Sequence, residues 1–163
     1  MGVSGCGKST VGAALAEKLA AAFLDADDFH PDANKEKMRL GLPLNDDDRA
    51  PWLRLLNKKL QDQLAAGTTT VLACSALKER YRITLAAQLP SVIFVHLTGS
   101  YEALSARLAG RNHEYMPTTL LKSQLETLEM PADALQIPIA WSLETQVAFA
   151  ANSILSHNTV LGV

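Results

Sequence analysis

The chain of 163 residues has little of what marks several classes of protein. Its two cysteines, Cys6 and Cys74, lie far apart and form neither a metal-binding pair nor a disulfide framework. It has no run of about 18 apolar residues, and its start lacks the basic and apolar regions of a signal peptide. The net charge of -2 provides no basic surface for nucleic acid or a membrane. These absences favour a cytoplasmic protein.

Length and composition favour one ordinary globular domain. The hydrophobic share of 48% and the charged share of 20% are typical of a chain with a packed core. A chain of 163 residues is long enough for one such domain and too short for two. We therefore expect a single domain over residues 1–163, without internal repeats.

Short apolar runs alternate with longer amphipathic segments, which predicts strands alternating with helices. The long helix at 46–66 has Asp46 or Asp47 as its candidate N-cap and ends at Gly67. This alternation predicts an α/β fold, a three-layer αβα sandwich with a parallel sheet and ligands at the carboxyl ends of its strands. The predicted strands are 22–26, 70–74, 92–97 and 136–141, and the predicted helices are 7–22, 46–66, 77–89, 100–110, a segment ending near 129, and 143–156.

The first ten residues contain the phosphate-binding P-loop pattern, Gly-x-x-x-x-Gly-Lys-Ser. Its glycines let successive backbone N–H groups converge on phosphate oxygens, and the helix that follows adds a partial positive charge. Lys8 is predicted to act as a catalytic cation on the outer phosphates, and the Ser9 hydroxyl is a candidate Mg²⁺ ligand. The predicted ATP contacts are Gly2, Val3, Ser4, Gly5, Cys6, Gly7, Lys8, Ser9 and Thr10.

A P-loop ordinarily follows a central strand, but Met1 alone precedes Gly2 here. Either the start is assigned too late, or the protein lacks that strand. Losing a central strand would remove two ladders of hydrogen bonds and a layer of the core. We therefore expect the first explanation to hold.

Acidic residues follow the second apolar run, in Phe-Leu-Asp-Ala-Asp-Asp-Phe-His. If strand geometry continued, Asp25 and Asp27 would project to the same side. A kinase needs one carboxylate near Mg²⁺ and another to orient or deprotonate the attacking hydroxyl. We predict the first role for Asp25 and the second for Asp27, with His30 as a further substrate contact or a structural cap.

The order of five motifs resembles the gluconate kinase (gluconokinase) family, whose fold is similar to that of shikimate kinase. The motifs are GVSGCGKS, FLDADDFHP, NKEKMRLGLPLNDDDRAPWL, ACSALKERYR, and HEYMP followed by LLKSQLETLE. The resemblance implies ATP- and Mg²⁺-dependent phosphorylation of D-gluconate to 6-phosphogluconate, in carbohydrate metabolism. It also implies a homodimer.

Gluconate is an anionic polyol, and the planar fork of arginine suits its carboxylate. Arg80 matches the family less well and is interpreted as a surface residue, and Ser75 contacts either substrate or the water around Mg²⁺. The substrate contacts implied by the resemblance, together with Asp27 and His30, are Arg49, Lys78, Arg82, His113 and Gln124.

A polar stretch at 110–117 lies between two predicted helices and has the character of a lid over the phosphates. We expect the lid to cover about residues 107–130, with Arg111 as a catalytic residue and Arg107 as a nucleotide contact. Two alternatives remain at this point. One is a related kinase with another acceptor such as shikimate, and the other is a nucleotide-binding module without catalysis.

Overall fold

The computed structural model of the chain describes residues 1–109 and 118–161. Within these ranges helices and strands alternate as the sequence predicts, which confirms the α/β class. A short 3₁₀ turn at Ala26–Phe29 follows the first strand. The helices are α1 (Lys8–Lys18), α2 (Asp32–Arg39), α3 (Asp46–Ala65), α4 (Glu79–Ala86), α5 (Tyr101–Ala109), α6 (Thr118–Thr127) and α7 (Leu143–Leu161), and the strands are β1 (Ala22–Asp25), β2 (Thr70–Ala73), β3 (Val95–Thr98) and β4 (Leu135–Pro138).

The strands form two parallel pairs. Strand β1 pairs with β2, with Ala22 opposite Thr70, and β3 pairs with β4, with Val95 opposite Leu135. Hydrogen bonds of Met1 to Val95 and Leu97 of β3, and of Gly2 to Ser75 just after β2, connect the two pairs. Nearer the start of these strands, an apolar cavity of about 410 Å³ separates them.

Two clusters of buried apolar side chains cover the two faces of the strands, as parallel strands require. One cluster lies among α1, α5, α6, α7 and the second strand pair, with Leu15, Leu104 and Ile137 among its members. The other lies beneath α3 and α4 and contains Trp52 and Leu56. Helices therefore cover both faces, which gives the predicted three layers.

Several elements differ from the prediction: α1 ends at Lys18 and not at residue 22, and β4 ends at Pro138 and not at residue 141. Strand β3 begins at Val95 and not at residue 92, and Val92 is 40% exposed. The apolar side chains of residues 92–94 favour a strand. These residues line the cavity, however, so their main chain has no neighbouring strand on the side of β2. Helix α2 was not predicted, because Asn34 is its one buried residue and no apolar stripe marks it.

The N-cap of α3 is Asn45, so the expectation of Asp46 or Asp47 was wrong by one residue. The Asn45 side chain accepts from the Asp48 N–H at 2.8 Å, and the Asp48 carboxylate accepts from the Asn45 N–H at 3.0 Å. This reciprocal capping box satisfies two donors at once. Asp46 is thereby left with its carboxylate available to other partners.

No helix within residues 1–109 and 118–161 is long and apolar enough to cross a membrane.

We expect Asn45→Ala to lower the free energy of unfolding by about 1 kcal/mol, because the Asp48 N–H loses its acceptor. Urea denaturation of both proteins measures this difference. Asp47→Asn is the matched control, since Asp47 is an exposed residue of the same helical turn. An equal loss in both variants would contradict a specific role for the cap.

Candidate active site

The phosphate loop of residues 2–8 is a tight turn that a side chain would disrupt at several points. Gly2, Gly5 and Gly7 have φ angles of 138°, 81° and 96°, which L-residues rarely adopt. A Cβ at Gly5 would also lie 2.8 Å from Cγ of Leu108. Helix α1 begins at Lys8, directly after the loop, so the partial positive charge of its N-terminus adjoins the loop.

The loop, Ser9 and Asp25 form one connected group. The Ser9 hydroxyl donates to Oδ2 of Asp25 at 2.5 Å, which joins the start of α1 to the end of β1. The Lys8 ammonium donates to the Val3 carbonyl at 3.1 Å, back across the loop. The pairing of Ser9 with Asp25, predicted as metal ligands, therefore brings a hydroxyl and a carboxylate together beside the loop.

Asp27 lies near Asp25, but not because the strand continues. Strand β1 ends at Asp25, and the 3₁₀ turn follows. Oδ1 of Asp25 accepts from the Asp27 N–H at 3.1 Å and so caps this turn. The Asp27 side chain is 76% exposed. Partial desolvation beside the loop raises the pKa of its carboxyl, Lys8 opposes the shift, and the neighbouring Asp25 carboxylate adds to it.

A cleft of about 690 Å³ lies between the phosphate loop and α2. Asp27 lies in its wall together with the loop residues that bind phosphate in such folds. No functional role was predicted for α2, although most of its residues belong to the motif NKEKMR. The residues that α2 contributes to the cleft are Asp32, Lys35, Glu36, Met38 and Arg39.

His30 lies beneath Asp27 and not in open cleft. Its ring is 5% exposed and stacks on Trp52 with a centroid distance of 4.0 Å. Its Nε2 is 3.8 Å from Oδ1 of Asp27. Burial, followed by the positive charges of Arg49 and Lys35, lowers the pKa of His30 to about 4. A neutral, packed histidine of this kind favours the cap or support role over direct substrate contact.

A second polar group lies between the start of α3 and the start of α4. The Asp46 carboxylate accepts from the Lys78 ammonium at 3.0 Å and from the Tyr81 hydroxyl, and it pairs with Arg80. The hydrogen bond from Tyr81, followed by that from Lys78, lowers the pKa of Asp46 to about 2. The Arg49 guanidinium lies 5.7 Å from the Tyr81 ring centroid. Two cations, Lys78 and Arg80, thus pair with the Asp46 carboxylate, and a third, Arg49, lies beside the Tyr81 ring.

Arg82 differs from the expectation of a substrate contact. It is 7% exposed, and its Nη1 donates to the Ala76 and Leu77 carbonyls at 3.1 and 3.2 Å. The side chain thus stabilises the loop after β2, because its guanidinium donates to main-chain oxygens of that loop. Arg80 is exposed, as expected, but its ion pair with Asp46 connects it to the polar group.

Helix α6 reaches the phosphate loop through Gln124. Its Oε1 accepts from the Ser4 N–H at 2.6 Å, so Gln124 contacts the loop and not an acceptor pocket. At the other end of the segment, Glu129 accepts from the Glu79 N–H at 2.6 Å, at the start of α4. The segment from α6 to Glu129 therefore contacts both the phosphate loop and the start of α4, next to the polar group around Asp46.

Arg107, predicted to contact the nucleotide, lies beside Gly7 of the loop. A Cβ at Gly7 would be 3.9 Å from Nη1 of Arg107, and Nη2 donates to the Ile139 carbonyl at 2.5 Å. Arg111 and His113 lie outside the described residues.

Comparison with known proteins agrees with this geometry. A model of the AAA domain family matches residues 1–132. A probable gluconokinase of Xenopus tropicalis is 51% identical over 147 residues, which cover 81% of this chain and 77% of the relative. A gluconokinase of Gluconobacter oxydans is 50% identical and covers 82% and 75%. The chain belongs to the gluconokinase family. The resemblance stated from its motifs is confirmed.

A solved structure supports the same conclusion at the level of the fold. The crystal structure of a gluconokinase from Sinorhizobium meliloti superposes with a TM-score of 0.86 at 41% identity, over 99% of this chain and 93% of that chain. The P-loop kinase architecture predicted from the sequence is thus confirmed, and the chain is a kinase of small molecules.

Stability should depend on pH through the buried His30 and through His96 of β3, whose pKa burial also lowers to about 4. In the unfolded chain His30 and His96 become protonated near pH 6.5. In the folded chain they become protonated only near pH 4. The free energy of unfolding should therefore fall as the pH is lowered from 6.5 to 4. Urea titrations at several pH values measure the slope.

The variants His30→Gln and His96→Gln should each flatten that slope, and the double variant should flatten it further. The slope, and not the absolute stability, is the measured quantity, because either replacement also changes packing. A slope unchanged in the double variant would mean that other groups cause it.

Proposed function

We propose that this protein transfers the γ-phosphoryl group of ATP to a hydroxyl of D-gluconate and forms 6-phosphogluconate. The observation that carries the proposal is the cleft in which the phosphate loop faces Asp27. Kinase chemistry needs a phosphate cradle and a carboxylate for the attacking hydroxyl within one site. The names of the relatives supply the acceptor, because they are gluconokinases from three kingdoms of life.

Lys8 and Asp27 are the proposed catalytic residues in the described part of the chain. Lys8 has its ammonium folded onto the loop and would turn to the β- and γ-phosphates. Asp27 would hold the acceptor hydroxyl and accept its proton, which a raised pKa favours. His30 packs beneath Asp27 as neutral support, and Arg107 would contact the nucleotide beside Gly7.

The donors beside the loop fit Mg²⁺, which prefers oxygen ligands and keeps several waters. The Ser9 and Asp25 oxygens lie 2.5 Å apart, so both could act on one ion. Ser9 would hold it directly, and Asp25 would hold it through water. When bound, Mg²⁺ neutralises charge on the transferred phosphoryl group. The protein's part is to fix this hydroxyl and carboxylate at the junction of β1 and α1.

The acceptor carboxylate would bind at the polar group between α3 and α4. Arg49 and Lys78 supply cations there, and Asp46 holds Lys78 in place. A carboxylate is recognised best by a planar guanidinium with two parallel donors, which favours Arg49 as the principal contact. We propose no substrate contact for Arg82, because its guanidinium binds main-chain carbonyls.

Four expectations stay predictions. Arg111 would contribute positive charge to the transition state and His113 would contact the substrate. The homodimer and the cytoplasmic location rest on the resemblance and on the composition of the chain.

An ADP-release assay with Mg²⁺-ATP and D-gluconate should show turnover, with shikimate, other aldonates and AMP as comparison acceptors. Asp27→Asn should lower kcat at least about 100-fold, because it removes the proton acceptor. Lys8→Ala should also abolish turnover. Asp28→Asn is the matched control, since Asp28 is the exposed acid next in sequence. Equal activity of Asp27→Asn and the unchanged protein would contradict the role of Asp27.

Gln124→Ala should weaken ATP binding about fivefold, because the Ser4 N–H loses its acceptor and the loop loses a support. Isothermal titration with a non-hydrolysable ATP analogue measures this change. Lys122→Ala is the control on the exposed face of the same helix. An unchanged Kd in Gln124→Ala would show that the contact does not order the loop.

A further inference from the structure

Helix α4 begins directly after Lys78, which is its N-cap residue. An N-cap ordinarily accepts, through a side-chain oxygen, from a free N–H group of the first turn. A lysine side chain carries donors only, so Lys78 cannot do this. Its ammonium instead donates to both carboxylate oxygens of Asp46, at 3.0 and 3.3 Å. The start of α4 therefore needs an acceptor from elsewhere in the chain.

Glu129 supplies that acceptor from the segment that follows α6. Its Oε2 accepts from the Glu79 N–H at 2.6 Å. A carboxylate at this place also faces the partial positive charge of the helix N-terminus, which strengthens the hydrogen bond. The main chain of Glu129 makes a second contact, because its N–H donates to the Leu77 carbonyl at 2.9 Å. One residue thus bonds to the main chain on both sides of Lys78.

The loop that leads into Lys78 has a backbone conformation that depends on outside contacts. Ala76 has a φ angle of 46°, which residues other than glycine rarely adopt. Such a conformation persists only where the surrounding structure fixes it. Arg82 bonds to the Ala76 carbonyl, and the Leu77 carbonyl accepts from both Arg82 and the Glu129 N–H. These contacts set the direction in which the chain enters α4.

Two acids thus act on Lys78 in different ways. Asp46 bonds to the ammonium, whereas Glu129 bonds to the main chain on either side of the residue. A cation binds a carboxylate more tightly when its position is fixed beforehand, because less conformational freedom is lost on binding. Without the Glu129 carboxylate, the ammonium would still pair with Asp46, but the main chain beneath it would be less restrained.

We propose that Glu129 is a positioning residue for acceptor binding, which caps α4 and thereby holds Lys78 where it meets the acceptor carboxylate. This inference rests on the proposed function, in which Lys78 binds that carboxylate. Glu129 acts through Lys78 and takes no part in phosphoryl transfer. Its loss should therefore change the KM for gluconate and leave kcat and the KM for ATP unchanged.

The test compares the steady-state kinetics of two variants with those of the unchanged protein, with Mg²⁺-ATP and D-gluconate as substrates. Glu129→Ala should raise the KM for gluconate about fivefold, because the Glu79 N–H loses its acceptor. Glu129→Gln should restore most of the affinity, since the amide oxygen can still accept from that N–H. Met130→Ala is the matched control, because Met130 is the next residue and is exposed.

A double-mutant cycle with Lys78→Ala separates positioning from a general loss of structure. In the Lys78→Ala background, Glu129→Ala should leave kcat/KM for gluconate unchanged, because the cation on which Glu129 acts is absent. An unchanged KM for gluconate in the single variant Glu129→Ala would overturn the proposal. An equal fall of kcat/KM with and without Lys78 would overturn it as well, because Glu129 would then act by another route.

Failure of the proposed function gives a different result in the same assay. If the unchanged protein releases no ADP in response to gluconate, the proposed function and the role of Glu129 both fail. If the unchanged protein turns gluconate over and Glu129→Ala has the same KM, only the role of Glu129 fails.

Discussion

The candidate active site depends on how closely the phosphate loop passes between two strand ends. At Gly2 a Cβ would lie 2.9 Å from the Leu97 carbonyl and 3.0 Å from the Cys6 sulfur, so no side chain fits. The backbone can turn there only because glycine accepts a φ of 138°. This close passage places the start of α1 at the carboxyl end of β1. The contact of Ser9 with Asp25 is a consequence of that placement.

Charges around the cleft are arranged in two groups with different partners. Near the loop, the acids Asp25 and Asp27 face the cation Lys8, and partial desolvation and the Asp25 carboxylate raise the pKa of the exposed Asp27 carboxyl. Between α3 and α4, one carboxylate faces several cations and remains ionised. A phosphoryl transfer between an anionic nucleotide and an anionic acceptor needs positive charge at both ends. In the proposed assignment, cations from different helices would bind the two anions and keep them apart.

Sequence patterns predicted those parts of the fold for which a short stretch of sequence is compatible with only one local structure. The P-loop spacing determined the start of α1, and the alternation of apolar runs with helical segments determined the parallel strands. Helix α2 was missed because its residues are nearly all exposed and polar, although it forms one wall of the cleft. Arg82 shows a different limit. An arginine in a motif carries the same letter whether its guanidinium faces a substrate or the main-chain oxygens of Ala76 and Leu77.

The two strand pairs and the active site are joined through two consecutive residues. Met1 bonds to β3, and Gly2 bonds to the residue that follows Cys74 after β2. The phosphate loop is therefore anchored to both halves of the sheet at the point where the halves are otherwise separate. Any motion of one strand pair against the other changes the distance between Ser75 and Leu97, and Gly2 lies between them.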